Sequence, residues 1–178
     1  MTDSTARIRR HYDGLAALHA PSVIAEAATL LDAYVATAVQ HGVDPKRADE
    51  DGYLTASAAE TIARKYGTPR PERSATETHR LQSALRTAFA DEGLEVVPTQ
   101  VRMGIAVEPV PGGPTWGIHG GLAVALYTDS GWQLMVNTAR TTVHTIYAPA
   151  TDAGAAEVAQ LVHGILRGDI ADPFRRNR

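Results

Sequence analysis

The sequence predicts an α+β fold, in which N-terminal helices pack on an antiparallel meander sheet of about four strands that is followed by a C-terminal helix. Three observations lead to this prediction. Apolar residues recur at helical spacing through most of residues 5–93, they alternate with a period of two between 101 and 148, and helical spacing returns over 152–167.

Two helices are expected in the first 40 residues. The first covers 5–19, and the second runs from Pro21 to about Gln40, after which Gly42 supplies a stop. Residues 42–53 are charged and rich in turn formers, and they carry no periodic apolar face. This stretch is therefore the best candidate for a linker.

Two further helices are indicated by residue pairs at the spacing of an N-terminal capping box. Ser57 and Glu60 have this spacing in the third helix, and Ser74 and Glu77 have it in the fourth, which ends at Gly93. The connecting segment TPRPERS holds two prolines, each of which fixes its own backbone angle and restrains the preceding residue. We expect a rigid connector there.

Four strands are expected after the helices, at 101–107, 121–128, 132–138 and 142–148. Asp-Ser-Gly at 129–131 is a three-residue hairpin signal, because its glycine suits the position that needs a positive φ. These segments form the predicted meander.

Turn lengths alone set the expected strand registers. A three-residue loop places Leu126 opposite Leu134, and a turn at 140–141 places Leu134 opposite Tyr147. Both registers put bulky apolar residues on one face of the sheet: Leu122, Val124, Leu126, Trp132, Leu134, Val136, Val143 and Tyr147. The opposite face then holds mostly small and polar residues: Arg102, Gly104, Ala106, Ala123, Ala125, Tyr127, Gln133, Met135, Asn137, His144 and Ile146.

These elements divide the chain into three parts. We expect an N-terminal helical segment (1–45), an α+β domain (54–168) and a flexible tail (169–178). Within the α+β domain we expect helices at 54–93, a sheet at 95–148 and a helix at 152–167.

Composition narrows the classes of function. The chain has 178 residues and a formal net charge of −3, which disfavours nucleic acid as a partner. It contains no cysteine, so disulfides, thiolate nucleophiles and cysteine zinc sites are excluded. Its first ten residues lack the apolar stretch of a secretory signal, and its apolar runs are shorter than the roughly 20 residues that span a bilayer. We expect a cytoplasmic protein with no membrane partner.

Residues 93–167 resemble a group of small uncharacterised α+β domains from high-GC Gram-positive bacteria. The resemblance is carried by the segments MGIAVE, GLAVALYTDSGWQLMVNTA, TIYAPA and AAEVAQLVHGIL, in which an aliphatic strand ends in an acidic turn followed by Gly-Trp. Those domains have no assigned activity, so the resemblance implies a fold and transfers no functional residue.

The second sheet face provides the main functional hypothesis. It is too polar for a standard core and too weakly charged for a freely solvated surface, which suits a face covered by the N-terminal helices, a second subunit or a ligand. We therefore interpret the chain as a non-catalytic intracellular regulatory or partner-binding protein that forms a homodimer. No cofactor and no metal are expected.

A small-molecule-binding protein or enzyme is one alternative. In the expected register the imidazole of His144 lies across from Asn137, and imidazoles are common general bases near neutral pH. The same groups suit a protein interface equally well. The ligand or interface candidates are Tyr127, Gln133, Asn137, His144, Trp116 and His119.

Other catalytic patterns are missing from the sequence. None of the seven histidines has zinc-protease spacing, and no Gly-x-Ser-x-Gly motif occurs. The glycine-rich stretch 111–121 lacks the Gly-Lys-Ser/Thr ending of a phosphate loop. The consecutive acids Asp49, Glu50 and Asp51 lie in the expected linker, where we interpret them as solvated charges.

A DNA-binding transcriptional regulator is the other alternative, with helices at 57–67 and 75–92 as a helix–turn–helix. Residues 64–86 hold six Lys or Arg against two Glu, although the connector with its two prolines is longer than the motif's usual turn. The DNA-contacting candidates are Arg70, Arg73, Arg80, Gln82 and Arg86.

Overall fold

The computed structural model describes residues 3–13, 15, 18–67, 72–113, 121–137 and 142–174. Within these ranges the chain forms five α-helices and six strands. In chain order they are α1 (Asp3–Asp13), β1 (Leu18–His19), α2 (Pro21–Gln40), α3 (Tyr53–Gly67), α4 (Ala75–Asp91), β2 (Val96–Val97), β3 (Gly104–Val107), β4 (Leu122–Leu126), β5 (Trp132–Val136), β6 (His144–Tyr147) and α5 (Asp152–Arg167).

The predicted fold class is confirmed. N-terminal helices precede a six-stranded, mostly antiparallel sheet, and a C-terminal helix follows it. The strand order is β1-β6-β5-β4-β3-β2, so β3 to β6 are the four strands of the predicted meander. The two-residue strands β1 and β2 add an edge on each side, and β1 is parallel to β6.

One face of the sheet, the core face, contacts α4, and α5 packs on α4 within the same hydrophobic core. Leu134 and Trp132 are fully buried there, as the sequence predicts, and burial of such side chains stabilises by about 1.5–3 kcal/mol each. Helices α1, α2 and α3 pack on one another, and α3 also contacts β6. The core face is formed by Ile105, Val107, Leu122, Val124, Leu126, Trp132, Leu134 and Ile146.

Three predicted element boundaries are wrong. The first helix ends at Asp13, and the end of its expected range forms β1 instead. The third helix begins at Tyr53, so Ser57 lies inside it and caps nothing. The first meander strand begins at Gly104 because a turn that contains Met103, with a φ of 59°, precedes it. The Ser74 cap of α4 is confirmed, since its side chain accepts a hydrogen bond from the Glu77 amide.

The β4–β5 register differs from the predicted one by two residues. Leu126 lies opposite Trp132, and the connecting loop spans 127–131. Arg73 accounts for the longer loop, because its backbone and guanidinium nitrogens bind the carbonyls of Thr128 and Tyr127. A shift of two residues keeps every side chain on its expected face.

The β5–β6 register differs from the predicted one by three residues. An odd shift moves every side chain of the strand to the opposite face of the sheet. Leu134 lies opposite His144 instead of Tyr147. The cause is the parallel β1–β6 pairing, in which Leu18 lies beside Ile146 and Ile146 is fully buried on the core face. Val143 and Tyr147 therefore leave the core face, whereas His144 and Ile146 join it. The predicted turn at 140–141 lies outside the described residues.

Single cap variants test the boundaries of α3 and α4. We expect Ser74→Ala to lower the free energy of unfolding by about 1 kcal/mol, because the Glu77 amide loses its acceptor. Ser57→Ala is the matched control, and it should change this free energy by less than about 0.5 kcal/mol. Urea unfolding of both variants measures the difference. Equal losses in the two variants would show that α3 begins near Ser57 after all.

Candidate functional site

The predicted cluster around His144 does not form. Tyr127, Gln133 and Asn137 belong to the second face, as expected, but His144 lies opposite Leu134 on the core face. Its ring stands edge-on to Phe174, with 4.7 Å between the ring centroids. Among the described residues its Nε2 atom has no hydrogen-bond partner. The proposed proton-transfer site is therefore not assembled. Trp116 and His119 lie outside the described residues.

The second face is covered by the chain itself. Its centre is a small buried cluster of Ala106, Ala123, Ala125 and Met135. The segment 98–103 folds over this cluster, and Val101 packs against it. Small residues need only a thin cover, and the backbone of this segment supplies it together with the side chains of Val97, Val101 and Tyr127.

The polar groups of the second face hold this cover in place. Asn137 donates to the Pro98 carbonyl at 3.1 Å and accepts from the Thr99 hydroxyl at 2.9 Å. The Tyr127 hydroxyl donates to the Arg102 carbonyl at 3.2 Å. Tyr127 and Asn137, two of the predicted ligand or interface residues, thus form hydrogen bonds within the chain.

The residues of the DNA-binding alternative lie mainly in intramolecular contacts. Arg73 binds the Tyr127 carbonyl at 2.9 Å, and Arg80 pairs with Glu77 and Asp152. Gln82 donates to the carbonyls of Met103 and Leu126, which ties α4 to the sheet. Helix α3 packs on α1 and α2 while α4 packs on α5, so the two helices are not arranged as a helix–turn–helix. Arg86 is exposed, and Arg70 lies outside the described residues.

An aromatic stack that the sequence did not predict joins helix α1 to strands β1 and β6 at one edge of the sheet. His19 lies between the rings of Tyr12 and Tyr147, with centroid separations of 3.6 and 4.7 Å. The Tyr12 hydroxyl donates to the Ala59 carbonyl at 2.9 Å. Burial, with Tyr147 and Glu26 nearby, raises the pKa of Tyr12 to about 12. The stack was missed because the expected first helix placed His19 at helical spacing.

The α2–α3 connection is anchored by Asp49, which corrects its interpretation as a solvated charge. Its side chain is 0% exposed and forms an ion pair with Arg7 of α1. The same carboxylate accepts from the Leu54 amide at 2.8 Å and from the amide and hydroxyl of Thr55. Asp49 therefore caps α3 and fixes α1 to the connection at once.

The connection is also closed by hydrogen bonds along its length. Amides of Val43, Arg47, Glu50 and Gly52 donate to carbonyls three to five residues earlier, at 2.8–3.1 Å. Asp51 accepts from the first amide of α3 at 3.0 Å. The segment is thus a series of ordered turns rather than an open linker.

A surface that we name the corner patch lies on these turns, on the end of α2 and on the first residues of α3. Tyr53 is 69% exposed, Val43 40% and Val39 36%, which makes them three of the large apolar side chains most open to solvent. Tyr53 and Val43 line an open cleft of about 520 Å³, and Val39 directly follows Ala38, which also lines it. The corner patch comprises Val39, Tyr53 and the remaining cleft residues: Ala38, Val43, Arg47, Ala48, Glu50, Asp51 and Leu54.

The end of helix α2, from Ala33 to Gln40, extends the corner patch with an uncharged surface. The acidic residues of α2 are Glu26, which binds Lys65 and Tyr66 of α3, and Asp32, which accepts from Ser4 of α1. Helices this apolar are usually buried all round, yet only Val23, Ala27, Ala28 and Leu31 of α2 are buried. Among the described residues α2 is the one helix long and apolar enough to cross a membrane, a test that soluble core helices and signal sequences also pass.

Comparisons with protein families, curated proteins and solved structures assign no role to any residue of this chain. No family model matches it, and neither a curated protein nor a solved structure does. The roles of the residues described above therefore rest on geometry and chemistry alone.

The alkaline stability of the protein tests the environment of Tyr12. The phenol of Tyr12 has a higher pKa in the folded protein than its ordinary value of 10.0. Its contribution to the free energy of unfolding is therefore complete below pH 10 and is lost as the pH rises through about 12. We expect Tyr12→Phe to reduce the fall in unfolding free energy between pH 10 and 12. At pH 7 it should cost about 1 kcal/mol, because the Ala59 carbonyl loses its donor.

Urea unfolding at stepped pH values measures both effects. Tyr53→Phe, which removes an exposed hydroxyl outside the stack, is the control and should leave the alkaline slope unchanged. An alkaline slope identical in wild type and Tyr12→Phe would contradict the raised pKa.

Proposed function

We propose that this chain is a non-catalytic, cytoplasmic protein that acts by binding another protein through the corner patch. The observation that carries the proposal is the group of exposed apolar side chains, led by Val43 on the ordered turns and Tyr53 at the start of α3. The half-apolar second face, which the sequence predicted to be covered by the N-terminal helices, a second subunit or a ligand, is covered by residues 98–103, so we propose the corner patch as the docking surface instead.

The chemistry of the corner patch suits a protein partner. Tyrosine and arginine are enriched among the residues that contribute most to binding at protein interfaces, and here Tyr53 and Arg47 line one cleft. An ordered connection also lowers the entropic cost of docking, because few side chains and no backbone need to be fixed. The cleft is open along the surface, whereas a small-molecule pocket encloses most of its ligand.

The two alternative functions draw less support from the structure. A DNA-binding role needs Arg73, Arg80 and Gln82, which contact groups of the protein itself. A small-molecule site on the second face needs His144 beside Asn137, and the β5–β6 register separates them.

Site-specific photo-crosslinking in the organism that encodes the chain tests the proposal. A photoreactive benzoylphenylalanine replaces Tyr53 in one variant and Val143 in a control, since Val143 is also an exposed apolar residue, at 50%. We expect a light-dependent protein adduct from position 53 that disappears when Arg47→Glu is added, and none from position 143. No adduct at 53, or equal adducts at both positions, would overturn the proposal.

A further inference from the structure

We infer that the partner is a second copy of this chain, and that the two corner patches dock face to face about a two-fold axis. The inference rests on the proposed function, because it names the partner of that same surface. Three features of the corner patch lead to it: shape, charge and continuity with α2.

The first feature is that a projecting ring and a cleft lie side by side. In a two-fold interface the same surface of each copy must be complementary to itself. Tyr53, which is 69% exposed, lines a cleft that the small side chains of Ala38 and Ala48 also line, together with Leu54. The Tyr53 ring of each copy can therefore lie in the cleft of the other, with its hydroxyl left at the polar rim.

The second feature is that charges of both signs are present on the rim. Arg47 Nε lies 3.9 Å from Glu50 Oε2, and both side chains are largely exposed. A two-fold axis that passes between these two side chains brings Arg47 of each copy towards Glu50 of the other, so this pair is complementary to itself in charge. A strongly acidic or strongly basic partner would leave one of these two charges unpaired.

The third feature is that the uncharged end of α2 continues the corner patch. No charged residue occurs between Ala33 and Gln40, and Ala36, Val39 and Gln40 are exposed. A stable interface covers about 800 Å² on each partner, which is more than a single cleft provides. The last two turns of α2 supply adjoining apolar surface.

Charge reversal at the rim tests this arrangement by sedimentation velocity over a range of protein concentrations. For the wild type we expect the average mass to rise towards twice that of one chain. Arg47→Glu places two like-charged pairs in the dimer, and so does Glu50→Arg, so each variant alone should dimerise about tenfold more weakly or worse. Both variants lose the same pair within the chain, which keeps them matched for stability.

An equal mixture of the two variants is the decisive sample. In the mixed dimer the reversed residues face each other, and the native Arg47 and Glu50 also face each other, so dimerisation should return to within about threefold of the wild type. Repulsion within one chain cannot be relieved by mixing. Recovery therefore reports contacts between chains. Arg102→Glu, an equivalent charge reversal on segment 98–103, should have no effect.

Several results would overturn the inference. They are a monomeric wild type, a dimer that neither variant weakens, and a mixture that does not recover. Tyr53-dependent co-sedimentation of a monomeric chain with phosphatidylglycerol vesicles would assign the corner patch to a lipid surface instead. A monomeric purified chain that still gives a crosslinked adduct with a different protein at position 53 would leave the proposed function standing and refute self-association alone.

Discussion

The architecture of the corner patch depends on one buried carboxylate. An unpaired buried charge is costly, and removing one partner of a buried pair typically costs about 3–5 kcal/mol. Asp49 avoids this cost because Arg7, Leu54 and Thr55 bind its carboxylate. Those partners belong to α1 and α3, so the turns cannot move without breaking contacts in both helices. The exposed apolar side chains of the patch are thereby held in a fixed arrangement.

The fold could be predicted because it depends on periodicities within short stretches of chain. Alternation identified the meander strands, and the error in the β4–β5 register was harmless because it was even. The β5–β6 error was odd, and it moved His144 to the wrong face. That register is fixed by pairing between Leu18 and Ile146, which are far apart in the sequence, so turn lengths could not reveal it.

The candidate site was harder to predict for a related reason. Three consecutive acids look alike in a sequence, yet only Asp49 meets an arginine from another helix, whereas Glu50 stays exposed. The second face shows the same limit. Its alanines indicated correctly that something covers them, but the mixed composition of 98–103, in which Arg102 stands among polar and apolar residues, gave no sign that this segment would fold back. A partner surface was therefore expected on the sheet, whereas we propose one at the α2–α3 corner.

Amide hydrogen exchange on the isolated chain tests most directly whether the corner patch is formed before any partner binds. The informative amides are those of Val43, Arg47, Glu50, Gly52 and Leu54, compared between wild type and Asp49→Ala at a concentration where the chain is monomeric. We predict slow exchange in the wild type and fast exchange in the variant, with the amides of β4 protected in both. Fast exchange of these amides in the wild type would contradict the account, because the turns would then be unformed in the free protein.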